Sequence, residues 1–587
     1  MMDQARPDAM GVTGNSVAET PHMDRIANEG ARFLNAFSST PMCTPARQAI
    51  LTGRSPWRHG MRVYMSEVAP RKYTTWLELP STLAQNGYYT ASIGKNHFGY
   101  NSTTMEWFTH GFNEIYPYEG DLAEDKMSSK FEIFDSYNAW FNETCGTCDP
   151  LETQPFEQEN GWWGSTYVYN ESWHPTAWTG DKALTWLDWW DSETRDQPFF
   201  LKVSFLRPHS PYDPPARVLD VIARKAGVDF DQIPKAQYAS TACEDDDTWY
   251  KDNNPSKDCP WVAKDSKSRC KSSEVSEDGT YSYDACAESC GTCSTTGHEW
   301  DERYQGPHDD VCNISVADTY CGDPGMTRVQ LTRALYYASL SFVDEQMGKI
   351  MKRVSDYGWL DSTLVILFAD HGDSLGDHHL WRKGFPTQQV ATVPMYIRWP
   401  ESMDSSIEVE RGDTISSIVE LRDVFPTIAD FANITIPTEG DNRLDGMSMM
   451  KLLQDKNVEW RTSIDLELAT CNFNYTMNWN AMTDGVIKYI YYLYDGSEQL
   501  FNISNDPYEL SDLSTDEEYY EYLDYWRGEL VEKFIAEDRG DWWVKNGTLM
   551  KWNPSNDVGG TMCWMSDYLN AYPCWKDPVT TKACSTA

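Results

Sequence analysis

Residues 363–373 read Thr-Leu-Val-Ile-Leu-Phe-Ala-Asp-His-Gly-Asp, an apolar run that stops at a carboxylate and an imidazole. A run without polar alternation suits a β-strand buried on both faces, as in a sheet covered by helices on each side. Its end carries chemistry. The carboxyl ends of strands are where open α/β sheets gather ligand-binding groups, so Asp370 and His371 are candidates to hold a metal from one turn. The alternative is a solvated Asp-Gly turn. Working outward, segments 31–37, 88–93 and 198–205 also read as strands. Segment 21–30 reads as a short amphipathic helix with a Gly stop, and 329–353 as a long one, with apolar residues recurring near helical spacing. Strands alternating with helices imply a large α/β domain.

The chain has 587 residues, more than one core usually sustains, which predicts several units. A net charge of −41 excludes nucleic acid and anionic membrane as natural partners. Any site for an anion must then be locally positive against the field of the whole molecule. No stretch of apolar residues is long enough to span a membrane. Aromatic residues make up 13% of the chain, which suits either a dense core or surfaces that stack on sugar rings. The chain opens Met-Met-Asp-Gln with no signal peptide, yet other features point to the secretory pathway. Setting Cys43 aside, 14 of the 15 cysteines remain, an even number. Eight Asn-x-Ser/Thr sequons occur, at Asn101, Asn142, Asn170, Asn313, Asn433, Asn474, Asn502 and Asn546. A truncated start reconciles the missing signal with this destination.

The expected organisation is a discontinuous catalytic domain, 1–242 with 322–440, interrupted by an insertion at 243–321. That insertion holds eight cysteines in a polar background and reads as a disulfide-stapled subdomain. A zinc site through Cys286, Cys290 and Cys293 is the rival reading. A C-terminal α+β unit, 441–587, should hold strands at 462–469, 486–494 and 499–503, a helix at 517–536, and a Trp-rich tail with Cys563, Cys574 and Cys584.

Residues 43–54, Cys-Thr-Pro-Ala-Arg-Gln-Ala-Ile-Leu-Thr-Gly-Arg, admit a bland reading as a buried cysteine opening a helix, with Pro45 in its first turn. They also resemble the sulfatase signature. The resemblance continues through Asp3-Gln4, Gly94-Lys95-Asn96-His97, Pro208-His209-Ser210-Pro211, Asp370-His371-Gly372 and Trp381-Arg382-Lys383-Gly384, in family order. It implies an alkaline-phosphatase-like fold: a large mixed sheet sandwiched by helices, with a smaller C-terminal domain built on an antiparallel sheet and a helix. The pairing of Asp-Gln with Asp-His resembles the choline-sulfatase and phosphonate-monoesterase branch. One departure is that only Met1 and Met2 precede Asp3, where the family has an apolar strand.

The resemblance further implies a mechanism. A formylglycine-generating enzyme would oxidise Cys43 to formylglycine (3-oxoalanine), whose hydrated aldehyde attacks the sulfur of a sulfated small molecule or glycan. Asp3, Gln4, Asp370 and His371, with the modified residue 43, would bind the metal. The oxygen-rich donors favour Ca²⁺ and leave Mn²⁺ or Mg²⁺ open. Lys95 and Lys383 would stabilise the sulfate oxygens and Arg47 would hold the formylglycine. His209, with Lys383, would protonate the leaving alcohol, and His97 would accept the second hydroxyl's proton. Lys95 and His97, two apart, should project to one side of an extended backbone. Trp57, His59 and the aromatic stretch 161–178 are candidate substrate contacts. The rival readings are a phosphonate or phosphate ester hydrolase of the same fold, and a silent sulfated-glycan-binding protein.

Overall fold

The computed structural model describes residues 1–61, 77–98, 108–120, 135–146, 148, 164–193, 196–227, 232–237, 326–440, 442–468, 478–541 and 543–551. The Cys-rich segment 243–321 and the three cysteines of the tail lie outside the described residues. Fourteen strands concern the site: β1 Met2–Asp3, β2 Ala31–Phe33, β3 Ala36–Phe37, β4 Tyr89–Gly94, β5 Glu114–Pro117, β6 Phe199–Pro208, β7 Val365–Phe368, β8 Met395–Arg398, β9 Thr414–Ile415, β10 Val419–Glu420, β11 Ile464–Leu468, β12 Trp479–Thr483, β13 Ile487–Tyr492 and β14 Glu498–Asn502.

Strands β5, β4, β6 and β1 lie side by side in that order, all parallel. Strands β7, β8, β2 and β9 form a mixed set in which β8 is antiparallel to both neighbours. A parallel bridge from Met2 to Ala369 joins the two sets, so β1 sits at the centre and sets Asp3 beside Asp370. The faces of β6 show how the sheet is covered. Phe199, Leu201 and Val203 pack with the helices Pro175–Ser192 and Met326–Asp356, while Phe200 packs with the helices Leu79–Gln85 and Val424–Phe431. That period of two, apolar on both sides, is the signature of a sheet between helical layers.

The expected elements are present with shifted ends. The long helix runs Met326–Asp356 rather than 329–353, and the first stops at Asn28. The 31–37 strand divides because its halves have different partners: β2 pairs with β8 and β9, and β3 with β10.

The C-terminal sheet is the antiparallel meander β11-β12-β13-β14. Three of its strands follow the sequence reading, whereas β12 escaped it, since Trp-Asn-Ala-Met-Thr shows neither an apolar run nor clean alternation. Tyr489 and Tyr491 face the helix Tyr520–Ala536 through Leu523, Trp526 and Phe534. Ile490 and Tyr492 face the other way, onto Phe37, Met42, Leu380 and Phe385. The second sheet therefore packs against the segments that carry Cys43 and Lys383.

Candidate active site

Asp3 closes β1, Lys95 follows β4, His209 follows β6, and Asp370-His371 follow β7 after Ala369. Four neighbouring strands thus deliver their chemistry to one rim. Cys43 reaches it from the first position of the helix Cys43–Thr52, where the helix dipole favours negative charge.

Cys43 Sγ lies 3.3 Å from His371 Nε2 and 3.5 Å from Asp3 Oδ1. One donor atom each from Asp3, Cys43, Asp370 and His371 falls within 4.8 Å of the others, and all four residues are buried. His371 Nδ1 sits 2.8 Å from the Gly372 carbonyl, which only an N–H can satisfy, so Nε2 faces the cluster. Burial lowers the ring's pKa, but Asp370 and Cys43 outweigh it and raise it, and a bound cation would displace the Nε2 proton. Two carboxylates, an imidazole nitrogen and the atom at position 43 fit a divalent cation. Gln4 stands beside them at φ +67°, its side-chain oxygen 3.4 Å from Lys383 Nζ.

The other side of Cys43 is cationic. Lys383 Nζ donates to Sγ at 2.8 Å and Lys95 Nζ lies 3.7 Å away, also paired with Asp3. Burial alone would raise the thiol pKa, but Lys383, Lys95 and His371 outweigh it and hold Cys43 well below its ordinary value. Burial and Cys43 likewise push Asp3 upward, and Lys95 and Arg47 more than reverse this, leaving it an ionised carboxylate. His209 Nδ1 meets the Ser210 carbonyl at 2.6 Å, so its Nε2 accepts from Lys383 at 2.9 Å. Burial, then Lys383 and Lys95, lower its pKa and favour the neutral ring.

Arg47 spreads its fork over Asp370 at 2.9 Å, Asp3 at 3.3 Å, the Lys95 carbonyl at 2.7 Å and Ser204 at 3.1 Å. It ties the two carboxylates together from below, a task the sequence reading did not give it. His97 is buried two residues after Lys95, but the geometry expected for it is corrected. The strand ends at Gly94, and His97 takes φ +54°, so the alternation of extended backbone does not relate the two side chains. Glu119 clamps this turn, accepting from the Asn96 and His97 backbone N–H groups at 3.0 and 2.8 Å.

The described substrate-contact candidates have partners of their own within the protein. Trp57 donates to the Glu537 carbonyl at 3.0 Å and stacks under Arg539, 4.4 Å away. His59 is buried, its Nδ1 accepting from Met61 N–H at 3.1 Å. Trp178 packs with Tyr137 and Phe141, and Tyr169 and Trp173 lie against that cluster. These aromatics serve packing. Asp377, further along the same loop as His371, shapes it: its carboxylate accepts from Arg6 at 2.6 Å and Arg333 at 2.8 Å.

The sulfatase family profile matches residues 1–434. The chain belongs to the sulfatase family. A second profile, N-sulphoglucosamine sulphohydrolase, C-terminal, matches residues 376–535 of this sulfatase. An arylsulfatase of Clostridium perfringens (strain 13 / Type A) is 30% identical over 559 residues, covering 94% of this chain and 97% of its own. A choline-sulfatase of Rhizobium meliloti (strain 1021) is 25% identical over 572 residues, covering 94% of this chain and 91% of its own. Among solved structures, the phosphonate monoester hydrolase of Agrobacterium radiobacter superposes with a TM-score of 0.61 at 20% identity, covering 92% of this chain and 94% of its own. The enzyme is thus a sulfatase of the alkaline-phosphatase-like fold, and its relatives include the branch that Gln4 and His371 indicated.

Proposed function

We propose that this sulfatase hydrolyses a sulfate ester on a carbohydrate, with Cys43 acting after oxidation to formylglycine. The observation that carries the reading is the position of Cys43 Sγ, which stands in for the formyl oxygens. It lies between Asp3, Asp370 and His371, with which it completes the cation cluster, and the Lys383–His209 pair. The oxidised residue supplies a hydrated aldehyde as nucleophile. A cation held by Asp3, Gln4, Asp370 and His371, with Ca²⁺ favoured and Mn²⁺ or Mg²⁺ compatible, supplies Lewis-acid polarisation and a lowered hydroxyl pKa.

The remaining work belongs to this chain's side chains. Lys95 and Lys383 offset charge on the sulfate oxygens in a buried, water-poor site. Lys383 gives a proton to the Nε2 of the neutral His209, and the imidazolium so formed passes that proton to the departing alcohol. His97 takes the proton that frees sulfate. Arg47 keeps Asp3 and Asp370 in register.

A carbohydrate substrate is supported by the N-sulphoglucosamine sulphohydrolase match and by an N-acetylglucosamine-6-O-sulfatase of Bacteroides thetaiotaomicron that is 24% identical, covering 78% of this chain and 72% of its own. The described rings of Trp57, Tyr169, Trp173 and Trp178 are packed within the protein and add nothing to this support. Maturation by a formylglycine-generating enzyme in the secretory pathway fits the Cys145–Cys148 disulfide and the exposed sequons at Asn142, Asn170, Asn433 and Asn546. Among the described residues no helix is long and apolar enough to cross a membrane.

Mass spectrometry of the tryptic peptide containing residue 43, from protein made in a eukaryotic secretory host, tests the modification. An unmodified thiol would favour a silent binding protein. A second activity, on phosphonate monoesters, is favoured by the Gln4 and His371 pair and by the phosphonate monoester hydrolase fold match. Comparing kcat/KM on an aryl sulfate and an aryl phosphonate ranks the two.

A further inference from the structure

Asp373, two residues past His371, has no role in the chemistry above, yet it is fully buried and both of its oxygens accept hydrogen bonds. Its Oδ1 takes the backbone N–H groups of Leu375 at 2.9 Å and Arg382 at 3.0 Å, stapling the turn that leads to Lys383. Its Oδ2 takes the Tyr212 hydroxyl at 2.7 Å and the side-chain Nε2 of Gln4. The two oxygens therefore do separate things.

An amide side chain can present either oxygen or nitrogen in a given direction, and only its partners decide which. A carboxylate accepts and cannot donate, so Gln4 must turn Nε2 to Asp373. The oxygen then faces the other way, where it accepts from Lys383, the same ammonium that donates to Cys43 of the cation cluster. The Gln4 backbone has no slack to undo this. Its N–H donates to Asp370 at 3.1 Å, its carbonyl accepts from Tyr336 at 2.9 Å, and its φ is +67°. From this we infer that Asp373 is a positioning residue that fixes the orientation of the Gln4 amide, so that an oxygen rather than an N–H faces the cation site. Without that constraint the Gln4 amide could rotate, presenting a donor to a cation and removing one ligand. The inference rests on the reading of this cluster as a cation site with Gln4 among its ligands.

Asp373→Asn separates the two tasks. It keeps an oxygen for the Leu375 and Arg382 N–H groups and places an amide nitrogen against Gln4, which must then offer its own oxygen to that nitrogen. Calorimetric titration of Ca²⁺ and Mn²⁺ into metal-depleted protein should show affinity falling roughly ten- to a hundredfold, as expected for loss of an orienting partner. The cation-free melting temperature should stay near wild type. Combining Gln4→Glu with Asp373→Asn restores the complementary pair, since the introduced carboxylate accepts from the introduced amide with one oxygen and turns the other toward the site. It should recover most of the affinity. Wild-type affinity in Asp373→Asn, or no recovery in the double variant, overturns the inference while leaving the cation site standing. A wild-type protein that binds no divalent cation overturns both.

Discussion

Lys383 Nζ and His209 Nε2 meet at 2.9 Å, and the same ammonium is 2.8 Å from Cys43 Sγ. Burial first, and then this contact, favour the neutral His209 ring, and the contact places its proton source next to the nucleophile. Lys383→Met removes a cation that depresses the His209 pKa, so the imidazole should titrate closer to its ordinary value of 6.5. NMR of the ring protons checks this. Loss of the proton donor should cost kcat about 10²- to 10⁴-fold. A His209 titration that does not move in the variant would separate the two residues.

The same shift has a stability sign. A histidine whose folded pKa lies below its unfolded value binds fewer protons folded than unfolded, so stability falls as pH drops through the unfolded value of 6.5. His174, lowered first by burial and opposed by Asp213, acts in the same direction. Asp135, Asp344 and Glu420, each raised to about 7 chiefly by burial, act in the opposite direction, so the His209 effect is read as a difference. Between pH 7 and roughly pH 5, chemical denaturation should show His209→Gln losing less stability, or gaining more, than wild type.

Cys43→Ser tests the nucleophile. A serine hydroxyl could attack sulfur, but the resulting ester would lack the second hydroxyl that expels sulfate. Multiple turnover should nearly vanish, and intact-mass spectrometry after substrate exposure should find at most one sulfate retained per chain. Steady turnover at the wild-type rate would sink the formylglycine mechanism.

Much of this site could be read from contiguous sequence because each strand ends on its own chemistry: Asp370-His371 after one apolar run, His209 after another. Residues whose roles depend on distant partners could not. Asp373 gains meaning only from Gln4, 369 positions away. Trp57 likewise donates to a carbonyl, that of Glu537, 480 positions away. The expected alternation of Lys95 and His97 fails because a positive φ follows the strand, and the residues Lys95-Asn96-His97 do not themselves announce one.

Arg47 bonds to both Asp3 and Asp370, and all three are buried. Arg47→Lys keeps the charge but loses the planar fork that spans the two carboxylates. Arg47→Ala leaves two acidic groups buried without that partner, which should cost about 3–5 kcal/mol in the metal-depleted protein. Cation binding should recover part of this through mass action, so the deficit measured by denaturation should shrink as Ca²⁺ is added.

The C-terminal sheet reaches the site through the loop after Lys383. Trp479 Nε1 donates to the Gly384 carbonyl at 3.0 Å. The buried Lys488 ammonium binds the Pro386 carbonyl and pairs with Glu509, which in turn accepts from the Gln388 N–H at 2.7 Å. Lys488→Met strands Glu509 without its cation and releases the Pro386 carbonyl, at a cost of about 3–5 kcal/mol. Trp479→Phe removes one hydrogen bond and keeps the ring, at a cost of about 1 kcal/mol. If this sheet positions Lys383, both variants should lower kcat more than they change KM at temperatures where they remain folded, with Lys488→Met the more severe. Equal kcat in folded Lys488→Met and wild type would reduce the sheet to a structural support.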